Sequence, residues 1–179
     1  MPDADLLDLA RDIDRCCRLR GSFTLRSGTV ATEYFDKYLF EADPVLLRRI
    51  AERMTALIPD DAQALGGLEL GGVPLATMIS QLTGLPTLFI RKQAKEYSTR
   101  RLAEDGVVEG RRVVLVEDVI TTGGAVLAAA RALREGGATV DTVVCAVDRS
   151  GGDTELLTGN GIGVRSVLTK ALLDTVGAA

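Results

Sequence analysis

Apolar residues recur along this chain with two periods, and their alternation predicts strands and helices in turn. Over residues 5–19, Leu6, Leu7, Leu9, Ala10, Ile13, Cys16 and Cys17 fall at helical spacing, with Gly21 as the predicted stop. Phe23 to Leu25, then Ser27-Gly28, then Tyr34-Phe35-Asp36 predict a strand, a turn and a return strand. Asp43-Pro44 predicts a helix start, and the helix runs to Leu57 ahead of Pro59. Strands are then expected at 62–65, 87–90, 112–116, 139–147 and 164–168. Helices are expected at 73–82, 124–135, 153–159 and 170–176, with a glycine-rich turn at 66–72 and a long polar segment at 92–110. This rhythm predicts an α/β fold: one domain over 1–179 with a mostly parallel central sheet flanked by helices.

Sheets of that kind bind ligands at the carboxyl ends of their strands. The unusual turns all fall there: 66–72, the loop after Ile90, 117–124 and Asp148-Arg149-Ser150. Of these, Val113-Val-Leu-Val-Glu-Asp-Val-Ile-Thr-Thr-Gly-Gly124 is the most specific. A buried strand leads to two adjacent carboxylates, Glu117 and Asp118. A turn of Thr121, Thr122, Gly123 and Gly124 follows, and a helix begins at once with Ala125. Backbone N–H groups in such a turn, backed by a helix dipole, suit a phosphate. The carboxylates suit the diol of a sugar, so the stretch predicts a sugar-phosphate site. Strand-turn-helix units with ordinary capping residues are common, but the acidic pair at fixed distance from Thr-Thr-Gly-Gly is far more specific. The chain has neither a Gly-Lys-Ser/Thr P-loop nor a G-x-G-x-x-G opening a helix after a strand.

Composition narrows the chemistry. The chain is 46% hydrophobic but only 4% aromatic and lacks Trp, which predicts an aliphatic core. It has no histidine, so histidine acid–base work, serine triads and most zinc sites are excluded. Three cysteines, Cys16, Cys17 and Cys145, make no disulfide framework and are expected in the core or an interface. A net charge of −4 argues against nucleic acid as the main partner. No apolar run is long enough for a membrane span, and the acid-rich start is unlike a signal peptide, so a cytoplasmic protein is expected. Within 91–101, however, Arg91, Lys92, Lys95, Arg100 and Arg101 face a single acidic residue, Glu96. That excess in an acidic chain predicts a small anionic ligand.

The 113–124 stretch resembles the PRPP-binding signature of the type I phosphoribosyltransferases. The Arg91-Lys-Gln-Ala-Lys-Glu-Tyr97 run, Phe23-Thr-Leu-Arg-Ser-Gly28 with Tyr34-Phe35, and Asp148-Arg149 resemble the orotate phosphoribosyltransferase branch. The resemblance implies the type I fold, with a small N-terminal hood over about residues 1–42, a core over about 43–179, and a flexible catalytic loop. It implies catalytic roles for Lys95, Asp118 and Glu117. PRPP would be bound by Arg91, Lys92, Lys95, Glu117, Asp118, Val119, Ile120, Thr121, Thr122, Gly123, Gly124 and Ala125, with Gly71 and Gly72. Orotate would meet Arg26, Phe35, Thr121 and Arg149. Mg²⁺ would be the cofactor, held mainly by PRPP and water with no direct protein ligand. A homodimer is implied, with the Lys95 loop reaching the neighbouring subunit's site. The expected reaction makes orotidine 5′-monophosphate and pyrophosphate from orotate and PRPP in pyrimidine synthesis. Two alternatives remain: a phosphoribosyltransferase for another base, and a PRPP-binding regulator without turnover. The chain departs from the branch at Ser98, where glycine is usual, and at Gly71, where many relatives carry lysine.

Overall fold

A computed structural model describes residues 3–24, 28–91, 103–104 and 107–178. Helix α1 (Ala4–Cys17) starts where Asp3 accepts a hydrogen bond from the Leu6 N–H at 2.7 Å, and it buries Leu9, Ile13 and Cys17. The chain leaves that helix at Arg18 rather than at Gly21, which lies inside strand β1 (Arg18–Thr24). The Arg18 guanidinium explains the early exit. It meets Asp14 at 2.8 Å, Asp174 at 2.9 Å and Glu33 at 3.1 Å, fixing the backbone in an extended conformation. Strand β2 (Val30–Phe35) pairs antiparallel with β1, and a short helix α2 (Tyr38–Ala42) leads into α3 (Pro44–Thr55). Asp43 caps α3 by accepting from the Val45 and Leu46 N–H groups.

The remaining elements are β3 (Ala64–Leu68), α4 (Gly72–Thr83), β4 (Thr87–Ile90), β5 (Ala103–Glu104), β6 (Val113–Ile120), α5 (Gly124–Glu135), β7 (Thr142–Asp148), α6 (Glu155–Thr158), β8 (Gly163–Thr169) and α7 (Lys170–Gly177). The sheet order is β5-β4-β3-β6-β7-β8. Five strands run parallel, with β5 antiparallel at the edge beside β4. Along β6 the side chains alternate between two cores. Val114 and Val116 pack with Leu9, Ile50 and Ile79 from α1, α3 and α4, while Val113 and Leu115 pack with Ala130 and Leu133 of α5. A run that is apolar on both faces is what a central parallel strand requires.

Strand boundaries in the sheet move as well. Gly66 and Gly67 belong to β3 rather than to the following turn, because Val113, Leu115 and Ala76 fill the space beside them. The strand expected from Thr139 starts at Thr142, after an isolated bridge between Thr139 and Arg112. The strand expected to end at Val116 continues through Ile120, because Glu117, Val119 and Ile120 keep their register with Cys145, Val147 and Asp148 of β7. Among the described residues no helix is long and apolar enough to cross a membrane.

Candidate active site

The acidic pair therefore lies within β6 rather than beyond its end, and both carboxylates are buried: Glu117 is 8% exposed and Asp118 0%. Alternation along the strand sends the Asp118 side chain the same way as Val116, toward the start of α4. Three features surround it. Lys37 Nζ, just before α2, is 2.6 Å from Asp118 Oδ2. Glu41 of α2 approaches the same carboxylate, and the Gly71 backbone lies against both. A methyl group at position 71 would stand 1.7 Å from Asp118 Oδ2 and 2.5 Å from Glu41 Oε1, so glycine is what lets the turn approach.

Burial and its charged neighbours divide the protonation states of this cluster. Burial, and then the neighbouring Asp118, push the Glu117 carboxyl well above the usual carboxylate range. The same two causes raise Glu41. Burial also acts to raise Asp118, but hydrogen bonds with Glu117, Glu41 and Lys37 outweigh it and hold that carboxyl below its ordinary value. Asp118 is thus the anion of the three, with Lys37 as its counter-charge.

Glu117 lines a recess of about 70 Å³ together with Thr121, Thr122 and the start of α5. Val119, Ile120, Gly123, Gly124 and Ala125 complete it. Gly123 adopts φ 76°, a left-handed conformation that turns the chain into the helix, and no side chain caps α5. The N–H groups of its first turn are therefore open to an anion from outside. The Cys145 thiol, on β7 beside Glu117, is buried, and burial pushes its pKa up, as it does for Cys17. Both behave as core residues.

A second cavity, about 330 Å³, is lined by Phe35, Thr121 and Arg149, with Tyr34, Glu33 and Lys170. The Arg149 guanidinium sits over the Phe35 ring, 4.9 Å from its centroid. Thr121 borders both cavities, which places the anion recess and the aromatic pocket side by side. A third cleft brings Arg91, at the end of β4, beside Leu68, Glu69 and Ala125. Gly71 and Gly72 follow at the start of α4, where a methyl group at Gly72 would stand 2.3 Å from the Val116 carbonyl oxygen. Arg26, Lys92 and Lys95 lie outside the described residues.

The arrangement is an anion recess at a helix N-terminus, a buried carboxylate pair and an aromatic pocket with a guanidinium, all at one edge of a parallel sheet. The phosphoribosyl transferase domain family matches residues 45–156. An orotate phosphoribosyltransferase from Nocardioides sp. is 66% identical over 166 residues, covering 93% of either chain. The chain belongs to the orotate phosphoribosyltransferases. The family's solved structures share its architecture. The orotate phosphoribosyltransferase of Mycobacterium tuberculosis in complex with Fe(III) dicitrate superposes with a TM-score of 0.84 at 37% identity, covering 94% of this chain and 98% of that one. The same protein in complex with 5-phospho-alpha-D-ribosyl 1-diphosphate (PRPP) gives 0.80 at 34% identity, covering 95% and 99%.

Sequence reasoning missed Lys37 and Glu41, and it missed Glu33 and Lys170 at the pocket of this family member. The Lys37–Glu41 spacing of four residues was a signal, since it places both side chains on one face of a helical turn. Lys170 carried none, because its position depends on β8 delivering α7 beside the pocket of Arg149 and Phe35.

Proposed function

We propose that this chain transfers the phosphoribosyl group of PRPP to orotate, releasing pyrophosphate and forming orotidine 5′-monophosphate, a step of pyrimidine biosynthesis. A ring nitrogen of orotate forms a bond to the anomeric carbon as the carbon–oxygen bond to pyrophosphate breaks. The pyrimidine supplies its own nucleophile, so the protein's task is to align the reactants and stabilise the leaving charge. That division of labour suits a chain without histidine.

In this reading the N–H groups from Thr121 to Ala125 hold the 5′-phosphate. Asp118 accepts hydrogen bonds from the ribose hydroxyls, and Glu117, which retains its proton, both donates and accepts there. Arg149 receives the orotate carboxylate in its planar fork while Phe35 covers the ring. The single observation that carries this assignment is Thr121, which borders both the anion recess and the pocket holding Arg149 and Phe35.

Mg²⁺ is the proposed cofactor, held mainly by PRPP and water with no direct protein ligand, as suits a hard cation that gives up its water reluctantly. When bound it neutralises the pyrophosphate charge. Arg91, Lys92 and Lys95 are assigned to that leaving group, with Arg26 near the base and the Gly71–Gly72 backbone against the pyrophosphate. Lys95→Ala is expected to cut turnover strongly while PRPP binding persists. We also propose one domain, with a hood over about 1–42 supported by the continuous packing of α1 against the core, a homodimer sharing the Lys95 loop, and a cytoplasmic location.

The deciding experiment follows orotate absorbance on mixing protein, PRPP, Mg²⁺ and orotate, with uracil and purine bases alongside. Loss of orotate alone, dependent on PRPP, is the expected result. Consumption of another base would reassign the substrate. PRPP binding without loss of any base would make the protein a regulator.

A further inference from the structure

The Lys37, Glu41 and Asp118 side chains form a buried contact between the α2 segment and the central strand. Lys37 Nζ is 2.6 Å from Asp118 Oδ2. Apart from that ammonium group no described donor reaches Asp118 Oδ2, and Glu41 Oε1 is likewise buried with no described donor. Both oxygens lie against one point, the position of a side chain at Gly71. Two bare carboxylates so placed would repel, whereas one proton carried by Glu41 and donated to Asp118 satisfies both oxygens. Other charged groups facing the cluster are Glu117 on β6 and Asp36 beside α2, with Tyr38 close to the ammonium group.

We infer that Lys37 and Glu41 are positioning residues for PRPP: Lys37 fixes Asp118 as an anion on one side, and Glu41 donates a hydrogen bond to it from the other. The inference rests on the reading of Asp118 as the ribose-binding carboxylate. Without Lys37, Asp118 would sit uncompensated between two other carboxyl groups, and its capacity to accept from the ribose hydroxyls would fall. Neither residue lines the pocket of Arg149 and Phe35, so the effect should fall on PRPP and spare orotate.

The test is steady-state kinetics of Lys37→Met, Lys37→Arg, Glu41→Ala and Glu41→Gln, with PRPP and orotate varied in turn and thermal unfolding recorded for each variant. Lys37→Met should raise the KM for PRPP about tenfold or more, the scale of one charge-assisted hydrogen bond, with orotate KM and kcat changed less than about threefold. Lys37→Arg should recover most of that loss, and Glu41→Gln, which retains a donor, should bind PRPP better than Glu41→Ala. A folded Lys37→Met with unchanged KM for PRPP overturns the inference. So does an equal loss in both substrates that arginine fails to repair. If wild-type protein binds PRPP yet consumes no orotate, the proposed reaction alone is lost. The same ordering of affinities, measured by calorimetry with PRPP, then decides the inference.

Discussion

The guanidinium of Arg149 lies over the ring of Phe35, 4.9 Å from its centroid, and so joins the end of β7 to the amino-terminal ribbon. The contact holds the cation over an aromatic ring at the wall of a 330 Å³ pocket. Burial, and then the nearby Arg18, lower the Arg149 pKa below its ordinary value, but a guanidinium remains charged at neutral pH. Arg149→Lys keeps a charge and loses both the stack and the fork. One such charge-assisted interaction is worth about 1.5–3 kcal/mol, so kcat/KM for orotate should fall about 10–100-fold. The KM for PRPP should stay within about threefold of wild type, as expected for a contact made to the base alone. Initial rates with each substrate varied separately check this, and a matching rise in PRPP KM would contradict it.

Gly71 offers a steric test of the proposed ribose site. An added methyl group would stand 1.7 Å from Asp118 Oδ2, so Gly71→Ala must displace that carboxylate, the turn, or both. PRPP affinity measured by calorimetry should drop about tenfold or more. The pocket of Arg149 and Phe35 is untouched, and unfolding should show only a modest loss of stability. Wild-type PRPP affinity in Gly71→Ala would mean that Asp118 does not hold the ribose.

The anion recess was legible in the sequence because it is local: one strand, one turn and one helix start, all within residues 113–125. The helix over 124–135 has the expected bounds for the same reason. The depth of the acidic pair was not legible. Two adjacent carboxylates read as a strand end, yet β6 continues because β7 supplies ladder partners, and Lys37 arrives from 81 residues away to balance Asp118. Nor did any pattern near Asp118 point to Glu41. Contacts between distant elements leave no periodicity in the intervening chain, which is why Glu33 and Lys170 were also missed at the pocket that Phe35 and Arg149 announced.

The protonation of Glu41 has a consequence for stability. Burial, and then Asp118, push its carboxyl from 4.5 to about 8. The folded protein therefore keeps a proton that the unfolded chain releases between those values. Stability from this group is fully present below the unfolded pKa and is lost as pH rises through about 8. Glu117, also raised, adds a loss of the same sign, while the lowered Asp118 contributes stability that disappears on acidification. Glu41→Gln removes only the first of these. Its melting temperature should therefore decline less than that of wild type between about pH 5 and about pH 8.5. Parallel curves for the two proteins would show that Glu41 is ionised in the fold.

Arg18 is the stability counterpart of Lys37, since it binds carboxylates from three elements: Asp14 of α1, Glu33 of β2 and Asp174 of α7. Its side chain is 17% exposed and that of Asp14 only 9%, so little water screens the closest pair. Arg18→Met keeps the aliphatic stem and strands a buried carboxylate, a change that costs about 3 kcal/mol when one partner of a buried pair is removed. For a chain of this size that corresponds to a fall of about 6–12 °C in melting temperature. The ribbon would also lose its anchor to α7. Phe35, paired directly with Arg18 across the ribbon, should then hold Arg149 less firmly, and the KM for orotate should rise with the loss of stability. Adding Asp14→Asn to Arg18→Met removes the stranded charge and should restore part of the melting temperature, while the orotate KM stays high. A double variant that melts no higher than Arg18→Met would place the cost in lost packing rather than in the unpaired carboxylate.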